Sequence, residues 1–261
     1  MINTLTGTLA GKQVRRLGFG TMRLTGPGIW GPPPDELGAI ELLRNAVESG
    51  VQHFDTADSY GPHDAELLIR RALHPYADDL VIATKGGFTR QGPGQWTPCG
   101  VPAYLRQCVE MSLRRLDVEA IDLYYLHRVD PAIPLADQVG ELEDMRREGK
   151  IKALGLSKVG VSQLEQATLI APIAAVQNPF SVINAESADV VAWCVKHKIA
   201  FVPYAPLGAG KLLTSSSSSG SESSPTAGNA LRWILNYAPN LFPIPGTSKM
   251  THLVENIRAS G

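Results

Sequence analysis

Four residues that can move a proton or hold a charge stand at or near the ends of short apolar runs. Asp55 follows Val51-Gln52-His53-Phe54, Lys85 closes Leu80-Val81-Ile82-Ala83-Thr84, and His127 closes Ile121-Asp122-Leu123-Tyr124-Tyr125-Leu126. Tyr60 lies five residues beyond Asp55, in the loop that ends at Gly61. A carboxylate at the end of a buried strand needs a partner, because its desolvation is costly. A lysine or histidine on another strand end can be that partner. Aspartate, tyrosine, lysine and histidine together make a proton-transfer site. Taken singly, each has a plainer reading: a helix cap for the aspartate, an exposed strand end for the lysine, a core hydrogen bond for the histidine, loop packing for the tyrosine.

Positioning four such residues needs a scaffold of repeated strands. Leu5 to Val14, turning at Ala10-Gly11-Lys12, reads as a small hairpin, and Leu17 to Thr21 as a first strand. After a Gly/Pro-rich loop from Thr25 to Pro34 comes a helix with Ile40, Leu43 and Val47 on one face. The alternation then continues. Strands end at Asp55, Lys85, His127, Leu156, Gln177, Tyr204 and Pro245, and each is followed by a helical pattern. The clearest helical stripe is Leu105, Cys108, Val109, Ser112, Leu113 and Leu116, and Gly149 is the expected cap of the helix from Leu135 to Glu148. Alternating units imply a parallel sheet. Eight of them predict an α/β fold of the (β/α)8 TIM barrel type with an N-terminal β-hairpin, as a single domain over 1–261. In such a barrel the C-terminal strand ends face the site, which gathers Asp55, Lys85, His127, Ser157, Gln177, Tyr204 and Gly246. The segment Gly18-Phe19-Gly20-Thr21 lacks the third glycine of a dinucleotide-binding fingerprint, which argues against an open Rossmann sheet. The serine-rich stretch 214–225 is expected to be a flexible loop.

Composition narrows the function. The 261 residues carry a formal net charge of -1, so no basic footprint points to nucleic acid or an anionic membrane. No apolar run reaches bilayer length, and the N-terminus lacks a basic-then-apolar leader, so a soluble cytoplasmic protein is expected. Cys99, Cys108 and Cys194 are odd in number and lack metal-ligand spacing; they read as reduced thiols, with no metal. Nothing in the sequence fixes an oligomeric state.

As a set, Gly18-Phe19-Gly20-Thr21, Phe54-Asp55-Thr56-Ala57 with Tyr60-Gly61, Ala83-Thr84-Lys85, Leu126-His127, Gly155-Leu156-Ser157, Val176-Gln177-Asn178, Tyr204-Ala205-Pro206-Leu207-Gly208 and Ile244-Pro245-Gly246-Thr247-Ser248 resemble the aldo-keto reductase superfamily. The likeness runs from Gly18 to Asn256 and is nearest to compact microbial oxidoreductases, with some similarity to pyridoxal reductases. It implies a catalytic tetrad of Asp55, Tyr60, Lys85 and His127, with Tyr60 as general acid in reducing an aldehyde or ketone. The phenol's ordinary pKa of about 10 is high for that work, and Lys85 is expected to lower it, with Asp55 holding Lys85 charged. The resemblance also implies NADPH as cofactor, with NADH possible. Ser157 and Gln177 correspond to nicotinamide carboxamide ligands, Tyr204 to the stacking aromatic, and Glu255 and Asn256 to adenine ligands. Thr21, Pro206, Leu207, Gly246, Thr247, Ser248, Lys249 and His252 complete the expected cofactor set. Lys158 stands where the family commonly has asparagine, Gly246 where a lysine is common and His252 where an arginine is common. A small-molecule carbonyl substrate is expected against Met22, Trp30, Phe88 and Trp96, in loops after the first and third barrel strands. The chain stops at Gly261 without the tail that often lines the family's pocket. Two other functions remain open at this level: a cofactor-binding regulatory subunit with little turnover, and a barrel lyase forming a Schiff base on Lys85.

Overall fold

Strands with apolar side chains on both faces need packing on both faces, and a barrel ringed by helices provides it. The computed structural model describes residues 5–208 and 226–260. The chain opens with an antiparallel hairpin of β1 (Thr6–Leu9) and β2 (Lys12–Arg15). Seven parallel strands follow: β3 (Phe19–Gly20), β4 (His53–Asp55), β5 (Val81–Gly86), β8 (Leu123–Leu126), β9 (Leu154–Ser157), β10 (Ile173–Gln177) and β11 (Ala200–Phe201). They pair in the order β11-β10-β9-β8-β5-β4-β3. Between β5 and β8 lies a second hairpin, β6 (Phe88–Gly92) with β7 (Gln95–Pro98). Helices α1 (Glu36–Glu48), α2 (Asp64–Leu73), α3 (Pro102–Leu116), α4 (Leu135–Arg147), α5 (Val161–Thr168), α6 (Ala188–His197), α7 (Ala227–Tyr237) and α8 (Met250–Ser260) complete the α/β architecture. The serine-rich stretch 214–225 lies outside the described residues.

The expected eighth strand, Leu241 to Pro245, does not form a regular strand. It still closes the (β/α)8 barrel. On one side Phe242 N–H donates to the Phe201 carbonyl at 2.8 Å, and Phe201 N–H to that of Asn240 at 2.8 Å. On the other, Gly18 N–H reaches the Pro243 carbonyl at 2.9 Å and Gly20 N–H the Pro245 carbonyl at 3.3 Å. Pro243 and Pro245 have no N–H, so the ladder is interrupted although the chain path is that of a strand.

Strand parity decides what enters the site. Along β5, Val81 and Ala83 point into the barrel and Ile82 points out to the helices; along β8, Leu123 and Tyr125 point in while Tyr124 and Leu126 point out. Two residues beyond the last inward apolar position, the same face carries Lys85 and His127. Ser157 follows Gly155 on β9, with Ala153 just before that strand, and Gln177 follows Ala175 on β10, by the same alternation. The inward column is therefore apolar at the bottom and polar at the top. Leu9 and Val14 of the first hairpin belong to the interior cluster with Val81, Ala83, Tyr125 and Phe242, and so plug the N-terminal end. The plug is anchored by Lys12 Nζ, 2.6 Å from the Leu80 carbonyl and 3.2 Å from Asp122 Oδ1.

One correction to the sequence reading arises here. Phe88 and Trp96 sit on the paired strands β6 and β7 rather than in a loop, so they are held by a ladder.

Barrel closure depends on close backbone approach between Gly20 and the proline-bearing segment. A Cβ on Gly20 would stand 2.9 Å from the Ile244 carbonyl oxygen, and neither backbone has a flexible end that could move aside. Gly20→Ala should therefore destabilise the protein by about 1–3 kcal/mol, the usual cost of overpacking, read as a lower urea midpoint. An unchanged midpoint would show that the seam is compliant.

Candidate active site

The loop after β4 is fixed from two sides. Thr56 N–H donates to the Ala83 carbonyl at 2.8 Å and Asp58 N–H to that of Lys85 at 3.1 Å, which holds the loop to β5. On its far side Gly61, with φ of +105°, bridges Trp30 in the loop after β3. Tyr60 is turned inward between these anchors and is 7% exposed.

Lys85 is the hub. Its Nζ lies 2.5 Å from Asp55 Oδ1, 2.7 Å from the Thr56 carbonyl and 3.4 Å from the Tyr60 hydroxyl. Three donors meet three acceptors, and the lysine is fully buried. Burial works against the ammonium, but Asp55 and Tyr60 more than offset it, and the lysine pKa is raised. The other Asp55 oxygen accepts from Gln177 Nε2 at 2.7 Å. Thr21, expected beside the cofactor, is fully buried and instead donates its hydroxyl to the Asp55 carbonyl at 3.1 Å.

Burial raises the Tyr60 pKa more than Lys85 lowers it, so the net shift is upward. This corrects the expectation of a phenol brought below its ordinary value: Lys85 moderates the cost of burial without reversing it. The imidazole of His127 has its pKa pushed well below the usual range, first by burial and then by Lys85, Arg128 and Arg90. Its Nδ1 lies 3.2 Å from Ser59 Oγ, leaving Nε2 as the nitrogen available to a ligand. The Tyr60 and His127 rings meet edge-on with centroids 5.8 Å apart.

Tyr60 and His127 open into a cavity of about 720 Å³. Asp55, Met22, Phe88 and Trp96 line it with them, as do Ser157, Gln177, Tyr204, Pro206, Leu207, Gly246, Thr247, Ser248, Lys249 and His252. Most of the residues drawn from the sequence are thus brought together around one space. Trp30, Glu255 and Asn256 do not line it. Trp30 is 36% exposed, held beside Gly61, and Arg90 Cζ lies 5.5 Å from its ring. Glu255 is exposed and Asn256 is buried in the packing of α8. Lys158 has φ of +56° and turns outward to pair with Glu186 at 2.6 Å. Asn178 holds the adjoining turn, accepting from Val159 N–H at 3.1 Å and donating to its carbonyl at 2.8 Å.

Two arginines went unread in the sequence. Arg90 Cζ sits 3.6 Å from the Trp96 ring centre, and its guanidinium donates to the carbonyls of Ile29, Ser59 and Gln95. It ties the tyrosine loop, the loop after β3 and the β6–β7 hairpin together. Arg128 lines the cavity directly; its Nη1 donates to the His127 carbonyl at 2.6 Å and to Ser157 Oγ at 3.0 Å. Its one sequence signal was its place immediately after a strand-end histidine.

Removing Lys85 would leave Asp55 buried without its cation. Lys85→Met should cost about 3–5 kcal/mol, the range for breaking a buried pair from one side, and Lys85→Met/Asp55→Asn should recover much of it. Burial already raises the Asp55 pKa, and loss of Lys85 raises it further. A raised carboxyl pKa favours the folded state at low pH and loses that benefit as pH rises through the folded value. The stability gap from wild type should therefore narrow as pH falls and Asp55 takes up its proton in the variant. Urea unfolding of the three proteins across a pH series tests this; a pH-independent gap would mean that Asp55 is not stranded.

The sequence model of the aldo/keto reductase family matches residues 16–229. The chain is 46% identical over 252 residues to an uncharacterized oxidoreductase of Schizosaccharomyces pombe, covering 95% of this chain and 82% of that one. It is 40% identical over 264 residues to pyridoxine 4-dehydrogenase of Escherichia coli, covering 97% and 92%. Among solved structures, the glycerol dehydrogenase of Gluconobacter oxydans superposes with a TM-score of 0.84 at 26% identity, covering 97% of this chain and 89% of that one. A buried lysine–aspartate pair beneath a tyrosine and a histidine, at the polar end of a (β/α)8 barrel, thus accompanies a match over most of the chain: it belongs to the aldo/keto reductase family and is an NAD(P)H-dependent oxidoreductase.

Proposed function

We propose that this cavity reduces an aldehyde or ketone to the alcohol with NADPH, within one domain, and that Tyr60 delivers the proton. The observation that carries the reading is the contact of Lys85 Nζ with both Asp55 and the Tyr60 hydroxyl. With its pKa raised, Tyr60 holds its proton at neutral pH and has one to give. As a carbonyl oxygen gains negative charge it becomes the stronger base, and the hydroxyl proton moves to it. Lys85 then faces the phenolate at close range and stabilises it. His127, neutral because its pKa is depressed, offers Nε2 to the same oxygen without adding a competing acid.

The donor set at the other end of the cavity suits a nicotinamide dinucleotide. Leu253 N–H is bonded to the Lys249 carbonyl, so the amides of residues 250–252 precede the internal bonding of α8 and can receive phosphate. Lys249 and Arg23 add charge there, and Tyr204 offers a ring face in the cavity wall. Ser157 has its hydroxyl on the cavity side, and Gln177 retains an amide hydrogen and its oxygen after bonding Asp55. Bound there, NADPH supplies the hydride. Phe88 and Trp96, packed at 5.4 Å between centroids, wall the opposite side and exclude water from the proton donor. A Schiff-base lyase is less well supported, since Lys85 has all three donors engaged and no exposure.

Pyridoxal, the carbonyl counterpart of the alcohol named for the E. coli relative, is the first substrate to test, followed by simple aldehydes. Tyr60→Phe should lower carbonyl reduction by about 10²–10⁴-fold, the usual contribution of a general acid, while nucleotide binding holds. Turnover above a tenth of wild type would remove Tyr60 from the role. The nucleotide preference should be for NADPH, but modest, because His252 and Lys249 cannot grip a phosphate bidentately as an arginine does. Titration of intrinsic fluorescence with each nucleotide measures it; equal dissociation constants would contradict the assignment.

A further inference from the structure

The distribution of charge within the cavity singles out one group. Asp55 is the one carboxylate among the described lining residues, and Lys85 and Gln177 already occupy its oxygens. Three permanent cations line the same space: Arg23, Arg128 and Lys249. Lys249 adjoins the start of α8, and Arg23 packs beside Gly246, so both belong to the end suited to phosphates. Arg128 does not. Its guanidinium stands 5.7 Å from the Phe88 ring centre and 5.9 Å from that of Tyr204, between the apolar wall and the aromatic platform.

Among the described residues, Arg128 has no ion-pair partner. One of its nitrogens, Nη1, serves the His127 carbonyl and Ser157 Oγ, and these two bonds fix the plane of the group. Nη2 and Nε remain as donors in a fixed fork, which is the geometry that receives an oxyanion. A guanidinium beside the proton donor of a neutral-carbonyl reductase would serve little purpose and would cost desolvation when a neutral substrate bound. Paired with an anion, the same desolvation is compensated.

We propose that Arg128 is a specificity-determining residue that selects carbonyl substrates carrying an oxyanion, a carboxylate or a phosphate ester, within a few bonds of the carbonyl carbon. The proposal rests on the reductase reading of the cavity and adds the chemical class of its substrate. No redox step is added: the anion binds and the carbonyl is reduced as above.

Two matched pairs test it, each differing by the anionic group: succinic semialdehyde against butanal, and glyceraldehyde 3-phosphate against glyceraldehyde. Wild-type enzyme should favour the charged member of at least one pair in kcat/KM. Arg128→Met should reduce that preference about tenfold or more, the worth of a charge-assisted hydrogen bond, chiefly through KM and with a smaller fall for the neutral member. Arg128→Lys should retain part of the preference. The pair that responds distinguishes a carboxylate from a phosphate. Wild-type indifference in both pairs would overturn the proposal, as would an equal fall for charged and neutral substrates with weakened NADPH binding, which would give Arg128 to the nucleotide. Butyrate binding, followed by the fluorescence of Trp96 in wild type and Arg128→Met, needs no turnover. If no aldehyde is reduced, the reductase reading fails, and butyrate binding still decides Arg128: tighter binding to wild type supports an oxyanion site, and equal binding excludes one.

Discussion

The site depends on one buried cation. A fully buried ammonium is tolerable only where each of its donors is met, and Lys85 meets Asp55, the Thr56 carbonyl and the Tyr60 hydroxyl. Those acceptors come from the end of β4 and the loop after it, while the lysine comes from β5. Satisfying the ammonium therefore fixes the spacing of two strand ends and the path of the tyrosine loop together. Gln177, far along the chain on β10, completes the arrangement by holding the second Asp55 oxygen from across the barrel. The hub ties together parts of the chain that share no local sequence logic.

Its counterpart is the apolar column beneath it. Small and branched side chains such as Val81, Ala83, Ala153 and Ala175 fill the lower barrel with Tyr125 and Phe242. The polar residues appear on the same inward face only at the strand tops. An alternation of two residues thus separates a packing layer from a reactive one without any change of scaffold. The chain as a whole is near neutral, yet its cavity is cationic. On the outside, acidic and basic residues pair with one another, as Arg106 does with Glu141 and Lys158 with Glu186.

The barrel was legible from sequence because each strand is a short apolar run and each helix has a clear stripe; the six residues of the stripe read in α3 are the six that are buried. Asp55, Lys85 and His127 were legible because each closes such a run. The β6–β7 hairpin was hidden by Gln91-Gly92-Pro93-Gly94-Gln95, which looks like a loop and holds little apolar alternation. The last barrel segment looked like a strand because its apolar content is right, while Pro243 and Pro245 remove the donors that would make it regular. Arg90 and Arg128 left no periodic trace. Their roles come from where three or four segments converge, which a one-dimensional pattern does not encode. The bond between Gln177 and Asp55 was invisible for the same reason.

The N-terminal hairpin has a consequence for traffic. With Leu9 and Val14 packed into the lower barrel, the interior is a blind well. A ligand reaching Tyr60 must come and go by the rim that Tyr204 and the start of α8 help to line. In a well with one opening, depth sets order: the occupant seated deeper enters first and leaves last. The plug thereby turns a matter of packing at one end of the barrel into a rule of queueing at the other.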